Sequence, residues 1–193
     1  AEKYIDEEKG VSNADEAIAG AKDIIAEIVS DDANVRKKLR NLFMKNGEVV
    51  TKLVNADKDE AKTYEMYADY SELVPEIKSH RVLAVNRGEK EGFLKVKVTF
   101  NDEIAKRIAG AGYLKDGGYA TQLVKEAVED GYERLIYPSI EREVRAELTD
   151  AASEQAIKMF EVNLKPLLMQ PPVKDKVTLG LDPAYRTGCK IAV

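Results

Sequence analysis

Cysteine and histidine are the scarcest chemical resources of this sequence, with one of each, Cys189 and His80, in 193 residues. A lone cysteine closes no internal disulfide, and one cysteine with one histidine cannot supply the ligands of a Cys/His zinc site. Long apolar runs are also missing. None approaches the roughly 20 residues that span a bilayer, and the first ten residues, AEKYIDEEKG, have neither the basic region nor the apolar stretch of a secretory signal. We therefore expect a cytoplasmic protein with no membrane partner. There is no G-x-x-x-x-G-K-[ST] and no G-x-G-x-x-G, so Gly117-Gly118 and the GEKEG segment at Gly88 to Gly92 read as turns and not as phosphate cradles. No serine or cysteine nucleophile has a recognisable partner, and no catalytic residue, metal ligand or cofactor is assigned.

What is present fits a folded globular chain: 44% hydrophobic and 34% charged residues, enough for one substantial core or for a core with a small satellite. The net charge of −5 argues against a chain basic throughout, as strong phosphate-backbone binding requires clustered Lys and Arg. A local basic face remains compatible with it.

Helical signals dominate. Asn13 with Glu16 resembles a capping box, followed by Ala14, Ala17, Ile18, Ala21, Ile24, Ile25 and Ile28 at helical spacing. A second helix starts at Asp31-Asp32, carries Val35, Leu39, Leu42 and Phe43, and ends at Gly47 in the expected left-handed position. Val49 to Val54 and Phe93 to Phe100 read as two strands that pair as a small ribbon. Between them, Ser79 is placed to cap a short helix ending around Gly88. Asn101 caps Asp102 to Ala109, and a glycine-rich connection follows. Gln122 to Tyr137 form a helix with Leu123, Val124, Ala127 and Val128 on one face, which Pro138 should break or kink. Ser139 to Leu148 resume it, and Thr149 is a cap for a last helix through Met169 with Ala152, Ala156, Met159, Phe160, Leu164 and Leu167 as its stripe. Gln170-Pro171-Pro172 reads as a linker. Val177 to Leu181 then read as a buried strand, Asp182-Pro183 as a turn and Lys190 to Val193 as the start of another apolar run. A chain opening without methionine, and closing one and a half strands into a sheet, is expected to be a segment of a larger protein.

The densest basic stretch is Arg81, Arg87 and Lys90, then Lys95 and Lys97 on alternate strand positions. These five residues are the candidate phosphate contacts. The competing reading is a solvated face balanced by Glu89 and Glu91. His80, beside Arg81, reads more simply as a helix-start residue than as a general base. Tyr64, Tyr67 and Tyr70 recur at three-residue steps and read as core packing before base stacking. Glu141, Arg142, Glu143 and Arg145 read as a salt-bridged helix surface, with the arginines also able to hold another domain. Asp182 follows a strand, as a metal-binding carboxylate would, but no further carboxylate can be assigned beside it.

Three segments together resemble the Tex family of bacterial transcription-accessory proteins: SHRVLAVNRGEKEGFLKVKV at Ser79 to Val98, RLIYPSIEREVRAELTDAASEQAIKMFEVNLKPLLMQPPV at Arg134 to Val173, and LGLDPAYRTGCKIAV at Leu179 to Val193. The early EEKGVSNADEAIAGAKDIIAE extends the resemblance. The patterns above read as a mainly α fold, a helical array with a small two-stranded β element over 1–173, and the resemblance implies that 174–193 are a linker and the first strand of an incomplete ribonuclease-H-like (YqgF) domain. It also implies a non-catalytic segment of a nucleic-acid-binding factor, with RNA or DNA held chiefly by an S1 domain this chain lacks. An alternative is a module docking the transcription machinery, and another is part of a metal-dependent nuclease in which Asp182 matches the first acidic strand position.

Overall fold

Side-chain caps set the first two helices. A computed structural model describes residues 1–6, 10–115, 117–171, 173–186 and 188–193, which divide into two units, Ala1–Ala156 and Ile157–Val193. In the first unit α1 (Ala14–Asp31) begins where Asn13 Oδ1 accepts the Glu16 N–H at 2.9 Å. Glu16 reaches back past the cap to accept the Ser12 N–H at 2.7 Å. The face α1 buries is not the expected isoleucine stripe: Ala26, Val29 and Ser30 are buried, whereas Ile24 and Ile28 are exposed. The cause is a close helix contact. A Cβ added to Gly131 would lie 3.0 Å from Ala26 Cα and carbonyl oxygen, so α1 turns Ala26 inward, and of the expected stripe Ile25 packs on the core while Ile24 and Ile28 stay outside it.

Asp32 caps α2 (Ala33–Asn46), accepting the Asn34 and Val35 N–H groups at 2.8 and 3.3 Å, and α2 buries Val35, Leu39 and Phe43. Gly47 follows with φ of −73°, which corrects the expected left-handed end. Space is what requires glycine there, since a Cβ would sit 2.4 Å from the Phe43 carbonyl oxygen.

The β element has three strands and not two. β1 (Glu48–Leu53) lies between β2 (Asp69–Leu73) and β3 (Leu94–Thr99), antiparallel to both. The missed strand, β2, begins at the end of the tyrosine segment. Tyr64 and Tyr67 belong to a 3-10 helix, Asp59–Tyr67, whose three-residue turn puts Ala61, Tyr64 and Tyr67 on one buried edge. Tyr70 lies beyond it in β2. Tyr64 stacks on Phe93 at 5.9 Å and Tyr67 meets Tyr70 edge-on at 5.4 Å, so these rings are core. The buried Thr51 donates to the Tyr67 carbonyl at 2.5 Å and ties the 3-10 helix to the sheet.

α3 (Ser79–Lys90) runs two residues past Gly88, and Ser79 is its first residue and not its cap. Gly88 lets the helix approach the sheet, since a Cβ there would be 2.6 Å from Leu94 Cδ1. α4 (Asp102–Gly110) starts at the Asn101 cap, and α5 (Thr121–Gly131) buries Ala127 and Val128 but leaves Leu123 exposed. Pro138 does not break the following helix. A π-helical turn, Tyr132–Ile136, precedes it, with the Tyr137 N–H bonded to the Tyr132 carbonyl. The widened turn absorbs the proline's missing donor, and α6 (Tyr137–Leu168) continues. Thr149 lies within α6 and donates to the Arg145 carbonyl at 2.7 Å, so it caps nothing.

Of the charges in SIEREVR, Glu141, Glu143 and Arg145 bind other elements, while Arg142 stays exposed and donates to the Pro138 carbonyl of its own helix at 3.2 Å. Glu143 pairs with Arg36 of α2 at 2.7 Å, and Glu147 with Arg40 at 2.5 Å. Others finish the outer edge of β3. Glu89 and Glu141 accept the Val96 and Val98 N–H groups at 3.3 and 3.0 Å, Tyr137 donates to the Val98 carbonyl at 3.1 Å, and Arg145 reaches the Val96 carbonyl at 3.5 Å while pairing with Glu89. Side chains thus replace a fourth strand.

In the second unit β4 (Gly180–Asp182) pairs antiparallel with β5 (Lys190–Ala192). The expected buried strand from Val177 is shorter and exposed: Leu181 and Ile191 are 58% and 63% exposed. A two-stranded ribbon supplies no second layer to cover its apolar face. Met159, Phe160 and Leu167 are likewise exposed.

Candidate nucleic-acid interface

Alternation along β1 and β3 divides the sheet into a core face and a wet face. Val49, Thr51, Leu94, Val96 and Val98 are buried, while Lys52, Lys95 and Lys97 are exposed on the other side. The register sets Lys52 directly opposite Lys95, and Val50 opposite Lys97. Like charges so placed are destabilising across a ladder. No ion pair among the described residues relieves these three lysines. The same wet face carries Asp69 opposite Lys52, and Glu48, whose carboxylate accepts the Ser71 hydroxyl at 3.0 Å.

The five sequence candidates separate into two groups. Lys95 and Lys97 meet on the wet face, with Lys52 as a partner that sequence reasoning missed. Lys90, at the end of α3, is exposed and in no ion pair among the described residues. Arg81 is committed elsewhere. Its guanidinium holds Glu72 at 2.6 Å, and Tyr70 donates to the same carboxylate. Burial would raise the Glu72 carboxyl, but the hydrogen bonds from Tyr70 and Arg81 outweigh it and hold it below its ordinary value. The Tyr70 hydroxyl is pushed up to about 12 by burial first and by Glu72 second. Arg87 is spent on Glu91 at 2.8 Å, one helical turn on, and that carboxylate also accepts Tyr64 at 2.6 Å. Hydrogen bonds from Arg87 and then Tyr64 lower the Glu91 carboxyl.

An open cleft of about 340 Å³ adjoins Lys97, lined by Thr99, Phe100, Asp102, Tyr132, Glu133 and Tyr137. Tyr132 donates to Asp102 at 3.1 Å, and Lys106 holds Glu133 at 2.5 Å. Burial, then Glu141, pushes the Tyr137 hydroxyl to about 12. Lys106 thus neutralises Glu133, and Asp102 is the acidic group that bounds the basic face on this side.

His80 is exposed at the start of α3. Asp182 Oδ1 accepts the Ala184 N–H at 3.1 Å, the geometry of an Asx turn. No group of three or more His, Cys, Asp or Glu among the described residues is placed to hold a metal ion, and no described helix is long and apolar enough to cross a membrane.

Fold and surface define the class: a mainly helical protein with a small antiparallel sheet, one face of which presents unpaired lysines. A family model for the Tex central region matches residues 1–160, and the chain belongs to the Tex family. It is 47% identical over 195 residues to the uncharacterized protein YdcI of Bacillus subtilis, covering all of this chain and 27% of that protein. It is 33% identical to the transcriptional accessory protein Tex of Neisseria gonorrhoeae, covering all of this chain and 26% of the relative. The human S1 RNA-binding domain-containing protein 1 is 32% identical over 200 residues, 96% of this chain and 20% of that protein. The chain thus spans at most 27% of the length of these relatives.

Proposed function

We propose that this chain is a non-catalytic, cytoplasmic scaffold segment of a longer transcription-accessory protein that binds RNA or DNA, and that Lys52, Lys95 and Lys97 add phosphate contacts to that binding. The observation that carries the lysine assignment is the cross-strand register, which gathers Lys52, Lys95 and Lys97 on one exposed face with no ion pair to any of them among the described residues. Membership of the Tex family, with relatives named for transcription and for an S1 RNA-binding domain, supports the nucleic-acid role. The antiparallel pairing of Gly180–Asp182 with Lys190–Ala192 supports the reading of 174–193 as the opening of a YqgF-like domain.

Fluorescence anisotropy with single-stranded RNA and duplex DNA oligonucleotides across salt tests the lysine face. Each phosphate contact adds about 0.7 to 0.9 to the slope of log affinity against log salt, so Lys52→Gln, Lys95→Gln and Lys97→Gln together should flatten it by about 2 to 3. Arg81→Gln and Arg87→Gln should leave it in place. A triple variant with the parent slope, or a chain that binds neither oligonucleotide at low salt, removes the assignment.

A further inference from the structure

The three-stranded sheet has two edges, and they are finished differently. On β3 the outward N–H and C=O groups of Val96 and Val98 are all taken by side chains of Glu89, Glu141, Tyr137 and Arg145. On β2 the register decides which groups face out. The Leu53 N–H bonds the Ala68 carbonyl at 2.9 Å and the Val74 N–H bonds the Gly47 carbonyl at 2.8 Å. Antiparallel alternation then turns the main chain of Tyr70 and Glu72 toward β1 and that of Asp69, Ser71 and Leu73 away from it. The Leu73 carbonyl is occupied by the N–H groups of Glu76 and Ile77 at 2.9 and 3.0 Å. Among the described residues nothing bonds the main chain of Asp69 or Ser71, and both residues are exposed.

An edge with unpaired N–H and C=O groups is a template for an added strand. The charge around it selects the strand. From Asp57 to Lys78 the chain places seven carboxylates against three lysines. One of those lysines, Lys62, is engaged by Asp59 at 2.9 Å, and the nearby Arg81 is held by Glu72. A second copy of this chain would set the same carboxylates against themselves, and nucleic acid would set phosphates against them. We infer that the β2 edge receives an extended, basic segment of a partner protein as a fourth strand, bonded to the main chain of Asp69 and Ser71. On the wet side its side chains stand beside Asp69, Ser71 and Leu73, which favours cations on the face it turns to Asp69. This rests on the sheet register and is independent of the lysine face.

The probe is a fluorescein-labelled seven-residue peptide alternating Lys and Val, titrated into the whole chain. Saturable binding is expected, with amide exchange at Ser71 slowed at least about tenfold. A Lys-Val peptide N-methylated at every residue keeps the charge and lacks the donors a ladder needs, and a Glu-Val peptide has the wrong charge, so both should bind at least about tenfold more weakly. Ser71→Pro removes the outward donor without touching the bonds to β1 and should weaken Lys-Val binding to the same degree, while Ser71→Ala should not. Equal binding of the N-methylated peptide, unchanged affinity in a folded Ser71→Pro variant, or no slowing at Ser71 overturns the proposal. A dimer of this chain that Ser71→Pro dissociates also overturns it, assigning the edge to a second copy. If Ser71→Pro does not fold, exchange at Ser71 in the unsubstituted chain decides.

Discussion

Two helical glycines show how one substitution changes sign with its neighbours. Gly20 lies within α1 with nothing within 4 Å of where a Cβ would stand, whereas a Cβ on Gly131 would meet the Ala26 backbone at 3.0 Å. Replacing a helical glycine by alanine gains up to about 1 kcal/mol from backbone entropy. Gly20→Ala should therefore stabilise the chain by about 0.5 to 1 kcal/mol. At Gly131 the same gain is opposed by a main chain that cannot rotate away, and overpacking of that kind costs about 1 to 3 kcal/mol. Gly131→Ala should destabilise. Urea unfolding of both variants checks the pair, and equal shifts of the same sign would show that α1 and α5 do not approach so closely.

Among the elements, β3 depends most on side chains from elsewhere. Glu141 accepts the outward Val98 N–H at 3.0 Å, with Tyr137 bonded to the carbonyl of the same residue. Glu141→Leu leaves a buried donor unsatisfied, at a cost of about 1 to 3 kcal/mol, while Glu141→Gln keeps an acceptor oxygen. Native-state hydrogen exchange at Val98 should accelerate in the first variant and stay slow in the second. This edge was beyond reach from sequence, because Glu141 reads there as one charge of SIEREVR and its strand lies 43 positions away. What could be read was local: the Asn13, Asp32 and Asn101 caps, and the alternation of FLKVKVTF, each need only neighbours along the chain. β2 was missed because Tyr64 and Tyr67 set a three-residue rhythm up to its start. The continuation through Pro138 was missed because a π turn is not a repeat in residue type. The candidate site followed the same division: Lys95 and Lys97 were visible as alternation, whereas Lys52 joined them through register, and Arg81 and Arg87 left through pairings with Glu72 and Glu91.

Across the whole chain the charges segregate, and the net −5 conceals a lysine-bearing sheet face beside an acidic stretch over residues 57–78. Burial segregates as well. Every buried hydrophobic side chain among the described residues lies between Ala26 and Ala152, inside the first unit, while the second leaves Leu181 and Ile191 exposed. A strand pair with apolar residues and no covering layer gives the YqgF reading a discriminating test, because burial would depend on chain length. Leu181→Asp in this chain should change stability by less than about 0.5 kcal/mol, as surface substitutions do. In a longer protein carrying the complete candidate domain, a carboxylate at the same position would be forced into an apolar layer, and the cost should exceed about 2 kcal/mol. Thermal and urea unfolding of the four proteins measures both values. If the substitution is equally silent in the long and short chains, Leu181 belongs to no core and the reading of residues 174–193 as the first part of that domain fails.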